Sequence, residues 1–340
     1  MTVSTRDGRG AATQADREAS ATVLPVAVTE NERSSSRRRK GFKLRFKQDR
    51  SLLAMSVPVI VLLVIFAYVP MLGNVVAFQN YSPFVGIAES PFVGFSNFAR
   101  LLEDPEFWHA VGNTLVITAF QLVFFFPLPI FLAILLNSLL RPGLRTLIQA
   151  VVYLPHFFSW VIIVTVFQQI LGGAGLISQW LRQAGAEPLD IMTNPDTFIL
   201  LLTSQTIWRD AGWGIVVFLA ALSAVDPSQY EAAAVDGASG WRRIWHVTLP
   251  ALRPTIILLL ILRLGDSLSV GFEQLLLQRE AVGAHAAEVL DTFVYFSGVV
   301  SGDFSYGAAA GLLKGIISLI LVLAANKVAH MFGEAGVYQK

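Results

Sequence analysis

The stretch "EAAAVDGASGWRRIWHVTLP", Glu231–Pro250, lies between two long apolar runs. Small residues lead it, a glycine interrupts it, and Arg242, Arg243 and His246 make it basic. Upstream stands "DPSQY": Asp226 suits a helix N-cap, Pro227 the first helical position and Gln229 the third, close to a capping box. A short helix is therefore expected from there to about Gly237, where glycine lets the chain turn. A second short helix carrying Trp241, Ile244 and Trp245 should follow, with Leu249 and Pro250 closing the segment. Its alanine face is slim enough to enter a cleft of another protein, and Glu231 is placed to meet a basic group there.

Outward from this loop the chain is apolar: 54% of its 340 residues are hydrophobic and 14% charged, which places it among membrane proteins. Crossing a bilayer takes about 20 helical residues. Six runs qualify: Leu52–Val76, Thr114–Leu140, Leu147–Leu171, Phe198–Val225, Thr255–Leu277 and Tyr306–Phe332. Prolines at 58, 70, 127, 129 and 155 interrupt them, which a helix bundle accepts because neighbouring groups satisfy the freed carbonyls.

Basic residues set the orientation. "RSSSRRRKGFKLRFKQDR" precedes the first run, Arg141 and Arg145 follow the second, and Arg242, Arg243 and Arg253 follow the fourth. The alternate loops carry Glu89, Glu103, Asp104, Glu106, Glu187, Asp190, Asp196, Glu288, Asp291 and Asp303. By the positive-inside rule both termini and the loop at about residues 226–254 face the cytoplasm. Residues 1–45 lack apolar periodicity and read as a disordered basic tail. The first run is a retained anchor, since no small-residue cleavage pattern starts it. Residues 46–340 then form one six-span domain. The absence of cysteine excludes disulfides and thiolate metal sites.

Enzyme chemistry has no visible constellation: GxxxxGK[ST], HExxH and GxSxG are all absent, and the five histidines have no ligand spacing. No catalytic or metal-ligating residue is assigned. His156, in "YLPHFFSW", reads as a polar residue bonded to a neighbouring helix more readily than as a proton relay.

Charges inside the spans are more informative. Arg209 and Asp210 fall in the fourth run, Arg263 and Asp266 in the fifth and Lys314 in the sixth. On a continuous helix Arg263 and Asp266 can touch, and Glu273 shares the face of Asp266. Such a stripe must face protein or a water-filled cavity. It is either a set of structural pairs or a polar path, and both readings stand. Trp208, Arg209, Trp213, Asp266 and Glu273 are the candidate path residues; indoles flanking Arg209 suit sugar stacking or plain helix packing. Gly307, Gly311 and Gly315 make a groove for close helix approach, within this chain or against a partner.

The run Glu231-Ala232-Ala233, Gly237, then Val247, Leu249 and Pro250 resembles the EAA signature (EAA, three residues, G, nine residues, IxLP) of permease subunits of bacterial binding-protein-dependent ABC importers. Val247 in place of isoleucine is the one departure. "QAVVYLPHFFSWVI" (149–162), "GFEQLLL" (271–277) and the stretch from "EVLDTFVYFSG" (288–298) to "FGEAGVY" (332–338) are similar to the LplB-type branch associated with oligosaccharides. The resemblance covers about residues 50–340. It implies an all-α, six-transmembrane-helix permease fold whose EAA helix couples to an ATPase through Glu231, Ala232, Ala233, Gly237, Leu249 and Pro250.

It further implies a second homologous permease as heterodimer partner, two ATP-binding subunits carrying ATP and Mg, and an extracytoplasmic solute-binding protein that delivers carbohydrate. The expected setting is the bacterial plasma membrane and its lipid, with no cofactor on this chain and no nucleic acid partner. Rival readings are a proton-coupled secondary transporter, a membrane scaffold or sensor that uses the same loop, and an ABC permease for a non-sugar solute.

Overall fold

The computed structural model describes residues 50–331 and 333, so the tail at 1–45 lies outside the described residues. The chain divides into two compact units, Met1–Ile65 and Phe66–Lys340. In the first, helix α1, Arg50–Leu63, is mainly apolar after its first two residues and carries Pro58. The second unit is all helical, with a single isolated bridge, Gln79 to Phe92, as the only β pairing among the described residues.

Five helical runs are long and apolar enough to cross a membrane: Ala54–Phe78, Pro105–Asn137, Trp160–Gln183, Gly240–Gly265 and Phe304–Met331. The number rises to six when Pro195–Ser223 is counted, an apolar helix that meets Pro227–Val235 at a bend of 71°. The protein is therefore a multi-pass membrane protein.

Local signals explain the helix starts. Asp104, Asn194 and Asp226 each precede a proline, and each side chain accepts the backbone N–H two residues on, at 2.8, 2.9 and 2.9 Å. The carboxylate or amide satisfies an orphan donor while proline supplies a preset φ. These caps open α2 (Pro105–Phe124), the long fourth-span helix and the loop helix. The second span accordingly begins at Pro105, well before the expected Thr114. It is broken before Pro127, where α3 (Pro127–Asn137) begins.

The third and fifth spans depart from the expected unbroken helices. The third is α4 (Pro142–Tyr153), a 3-10 turn at Leu154–Phe157, two extended residues and α5 (Trp160–Leu171). Pro155 removes a backbone N–H from the helix, which tightens into the 3-10 turn and ends at the extended Phe158 and Ser159. The fourth span is α6 (Pro195–Ser223), and the loop helix is α7 (Pro227–Val235).

The fifth span, α8 (Leu249–Gly265), ends at Asp266. The chain then loops to Gly271, whose φ of +49° suits glycine, before α9 (Phe272–Val282). The sixth span is α10 (Phe304–Met331).

Three buried clusters hold the second unit together. Ala133, Leu136, Ile215, Phe218, Leu222 and Leu252 join α3, α6 and α8 at the end nearest the loop helix. At the other end, Ile117, Phe198, Leu202 and Leu275 form one cluster, and Leu101, Phe107, Leu290, Phe293 and Tyr306 another. Gly212 and Gly307 permit close approaches. A Cβ at Gly212 would sit 2.6 Å from Tyr153 Cα, and one at Gly307 would sit 2.5 Å from Gly298 Cα. Gly307 thus packs within this chain, whereas Gly311 and Gly315 have nothing within 4 Å of a built Cβ.

Candidate functional site

The loop helix α7 starts on the Asp226 cap. The backbone N–H and hydroxyl of Ser228 bond to Asp226 and hold its carboxyl below the usual carboxylate range. The helix ends in a Schellman motif: Ala238 N–H donates to Ala233 O (2.9 Å) and Gly237 N–H to Ala234 O (3.1 Å), with Gly237 at φ +73°. Glu231 and Ala232 are exposed, Ala233 is half-buried, and Gly237 marks the expected turn. Tyr230 hydroxyl lies 3.2 Å from Thr248 Oγ1, which ties α7 to the following helix. This is a rigid finger with an outward small-residue face.

Leu249 and Pro250 do not close the segment as expected. The helix that begins at Gly240 passes through a π-turn, Ile244–Thr248, and continues into α8. Leu249 N–H donates to Ile244 O, one residue further back than in an α-helix. That widened turn relieves the carbonyl clash that Pro250 imposes inside a regular helix. The loop and the fifth span are consequently one rod.

The second cluster sits at the break in the third span. His156 Nδ1 donates to Asp210 Oδ1 (3.0 Å), and Arg209 reaches Asp210 (3.4 Å) and Phe158 O (3.3 Å). The Arg209 guanidinium lies 4.6 Å from the Trp160 ring centroid. Trp213 stacks on His156 and Tyr153, with centroids 5.5 and 6.3 Å apart. Arg209 thus satisfies the Phe158 carbonyl that the break leaves free, while His156 and Asp210 satisfy each other. Trp208 points elsewhere, meeting Phe167 edge-on at 5.8 Å.

The expected stripe of Arg263, Asp266 and Glu273 does not form, because the helix stops at Gly265. Arg263 donates to Gln121 Oε1 (2.7 Å) rather than pairing with Asp266, and Asp266 and Glu273 are both exposed on separate elements. Of the candidate path residues only Arg209 and Trp213 share one cluster. Lys314 pairs with Asp291.

Sequence reading missed a glutamine knot. Gln205 Oε1 accepts from Gln274 Nε2 (2.7 Å) and Gln278 Nε2 (3.0 Å), and Gln205 Nε2 donates to Gln278 Oε1 (3.1 Å). All three are at most 2% exposed, and they clamp α9 onto α6. The available signal was Gln274 and Gln278 at helical spacing on an apolar segment. Beside the knot, Gln168, Gln169, Thr193 and Gln278 line a cavity of about 330 Å³ with the backbone of Gly172 and Gly173. Amide and hydroxyl groups around such a space can exchange hydrogen bonds with a polyhydroxylated solute. Among the described residues no group of three or more His, Cys, Asp or Glu could hold a metal.

Comparisons with known proteins bear on this arrangement. Residues 125–333 match the family of the binding-protein-dependent transport system inner membrane component. The polygalacturonan/rhamnogalacturonan transport system permease protein YteP of Bacillus subtilis (strain 168) is 42% identical over 94% of this chain and 99% of its own length. Protein LplB of the same organism is 40% identical over 86% of this chain and 92% of its own. A chain in the crystal structure of a bacterial alginate ABC transporter, in complex with alginate pentasaccharide-bound periplasmic protein, superposes with a TM-score of 0.79. It is 35% identical and covers 87% of this chain and 99% of its own. The match extends over nearly the whole chain. This chain belongs to the binding-protein-dependent transport system inner membrane components, as a permease subunit of an ABC transporter of the LplB and YteP type.

Proposed function

We propose that the chain is the translocating subunit of an ATP-driven importer for oligosaccharides released from complex polysaccharides. Support comes from the ordered, exposed finger at Asp226–Gly237, which satisfies its own backbone and leaves Glu231 and the alanine face free for a partner. The acidic polysaccharides named for YteP and for the alginate transporter favour an acidic sugar chain.

In this reading two ATP-binding subunits hold ATP and Mg beneath this chain and a homologous second permease. Closing them draws the two fingers together, tilts the spans, and turns a central cavity from inside-open to outside-open. A solute-binding protein then releases sugar into that cavity, with Arg209 and Trp213 beside its path. The amide-lined space at Gln168, Gln169 and Gln278 adds a polar subsite to the same path. The six-span domain lies in the bacterial plasma membrane with both termini and the finger inside, and residues 1–45 form a cytoplasmic tail.

The test is to tag the chain at its N terminus, extract it from its own membranes and identify what co-purifies. An ATPase and a second permease in stoichiometric amount are expected. Uptake should survive collapse of the proton gradient while ATP is supplied; its abolition would favour a proton-coupled carrier.

A further inference from the structure

Away from the amide-lined space at Gln168, a second polar cavity of about 390 Å³ is lined by Glu106, His109, Arg279, His285 and Glu288, with Ser297 and Ser301. Glu106 and His109 come from the first turns of α2, Arg279 from the last turn of α9, and the others from the chain between α9 and α10. The volume falls in the range of small-ligand sites. Glu106, His285 and Ser301 are exposed, so solvent reaches it.

Most of the polar atoms in its walls accept rather than donate. The Ser297 hydroxyl donates to Phe293 O and the Ser301 hydroxyl to Phe296 O, which leaves their lone pairs as acceptors. His109 Nε2 lies 2.8 Å from His285 O. A carbonyl only accepts, so Nε2 carries the proton and Nδ1 of the neutral ring is an acceptor. The two imidazoles stack with centroids 3.8 Å apart. Glu106 and His285 hydrogen-bond through their backbones alone among the described residues. Arg279 supplies the donors. Its Nη2 meets Glu288 Oε2 at 2.9 Å, and its guanidinium lies 3.9 Å from the Phe296 ring centroid, which fixes it in the wall. One bond leaves most of its N–H groups unspent.

Two carboxylates against one guanidinium make the cavity net negative while the imidazoles are neutral. A uronate is therefore repelled. An ammonium group is drawn by the carboxylates, yet it faces Arg279 and has nothing with which to accept from it. A neutral sugar ring meets both demands, because its hydroxyls donate to the carboxylate, serine and imidazole acceptors and accept from the guanidinium.

We infer that this cavity binds one neutral sugar unit of the transported chain at the outer entrance of the bundle. The inference rests on the reading of the chain as a sugar importer with this end outside.

The chain has no cysteine of its own, so Ala284→Cys in the cavity wall reports on occupancy. The full assembly is purified in detergent, and modification of that cysteine by N-ethylmaleimide is followed on this chain. The probes are galactotriose and the galacturonate trimer of the same linkage, which differ only in their carboxylates. Galactotriose should protect the cysteine. The galacturonate trimer should need roughly fivefold more sugar for equal protection, the scale of one like-charge pair in water, and Glu106→Gln should narrow that gap. Ser297→Ala should weaken protection by galactotriose roughly fivefold, the scale of one hydrogen bond.

Protection by the acidic trimer at equal or lower concentration, or by neither sugar, overturns the site. Protection by tetralysine and not by galactotriose also overturns it and assigns the cavity to a cationic partner. Ser301→Cys gives the same comparison if Ala284→Cys fails to fold. Retention of the ATPase is read on the same preparation. Its loss from the unsubstituted chain removes the importer reading, whereas an unprotected cysteine with the ATPase retained removes this cavity alone.

Discussion

The finger at Asp226–Gly237 and the block built from residues 79–113 and 266–306 lie toward opposite ends of α8, and they are ordered by different means. The block is stitched by side chains. Arg100 pairs with Asp303 at 2.6 Å, Arg279 with Glu288 at 2.9 Å, and Tyr306 hydroxyl with Asp104 at 2.5 Å. Asn113 donates to the carbonyls of Ala286 and Glu288. The finger is ordered by backbone caps and one side-chain contact to Thr248, and Val235 at its tip is 89% exposed. A segment whose backbone is satisfied but whose side chains are uncommitted is prepared for a partner; one whose side chains are spent internally is prepared to hold shape.

The sharpest way to break this contrast is Glu231→Lys. Insertion and fold should be unaffected, while ATPase co-purification is lost and uptake falls at least about tenfold, the scale of removing one interface hot spot. Uptake equal to that of the unsubstituted protein would mean that the finger docks nothing.

Next in size is the knot. Gln205→Leu strands the buried amides of Gln274 and Gln278, each costing about 1–3 kcal/mol, and should lower the melting temperature in detergent clearly. Replacing all three glutamines by leucine removes every unpaired group and should recover most of that loss. A triple variant as unstable as the single would mean that the knot has another role.

A steric comparison comes third. Gly212→Ala drives a methyl into the Val152–Tyr153 backbone and should cost about 1–3 kcal/mol by thermal unfolding, whereas Gly311→Ala meets open space and should cost little in the isolated chain. Loss of the second permease in Gly311→Ala would assign that face to the partner.

The smallest effect concerns the cap. The Asp226 carboxyl is held below its ordinary value, so its contribution is complete above that ordinary value and disappears as pH falls through the lowered one. Hydrogen exchange in residues 227–235 should rise on strong acidification. Asp226→Asn should keep protection at neutral pH and remove the pH dependence, and Asp226→Ala should lose protection throughout. Unchanged exchange in Asp226→Ala would remove the cap's role.

These regions also differ in how far the sequence discloses them. The finger was legible residue by residue, because capping, proline placement and the glycine turn are decided within a few positions. The same Asx-Pro signal at Asp104 and Asn194 starts two more helices, and reading it there moves the second span to its observed start. The breaks in the third and fifth spans were hidden, because bundle helices tolerate both proline and glycine, and Asp266 read as a charge within a span rather than as its end. The partners of intramembrane polar groups were hidden for another reason. His156 and Asp210 are 54 positions apart, and Gln205 and Gln278 are 73 apart. Which faces meet depends on helix rotations that no local pattern records.

The unbroken run from Gly240 to Gly265 has a mechanical consequence. At about 1.5 Å per residue its 26 residues make a lever close to 39 Å long. One end is welded to the finger, and the other stops at the loop that carries Asp266. A rocking of about 10° around its middle moves each end by roughly 3 Å in opposite directions. The π-turn lets Pro250 sit inside that lever without ending the helix. A push delivered at the finger therefore has one continuous helix along which to reach Asp266, with the π-turn and Pro254 as the points where that helix can bend.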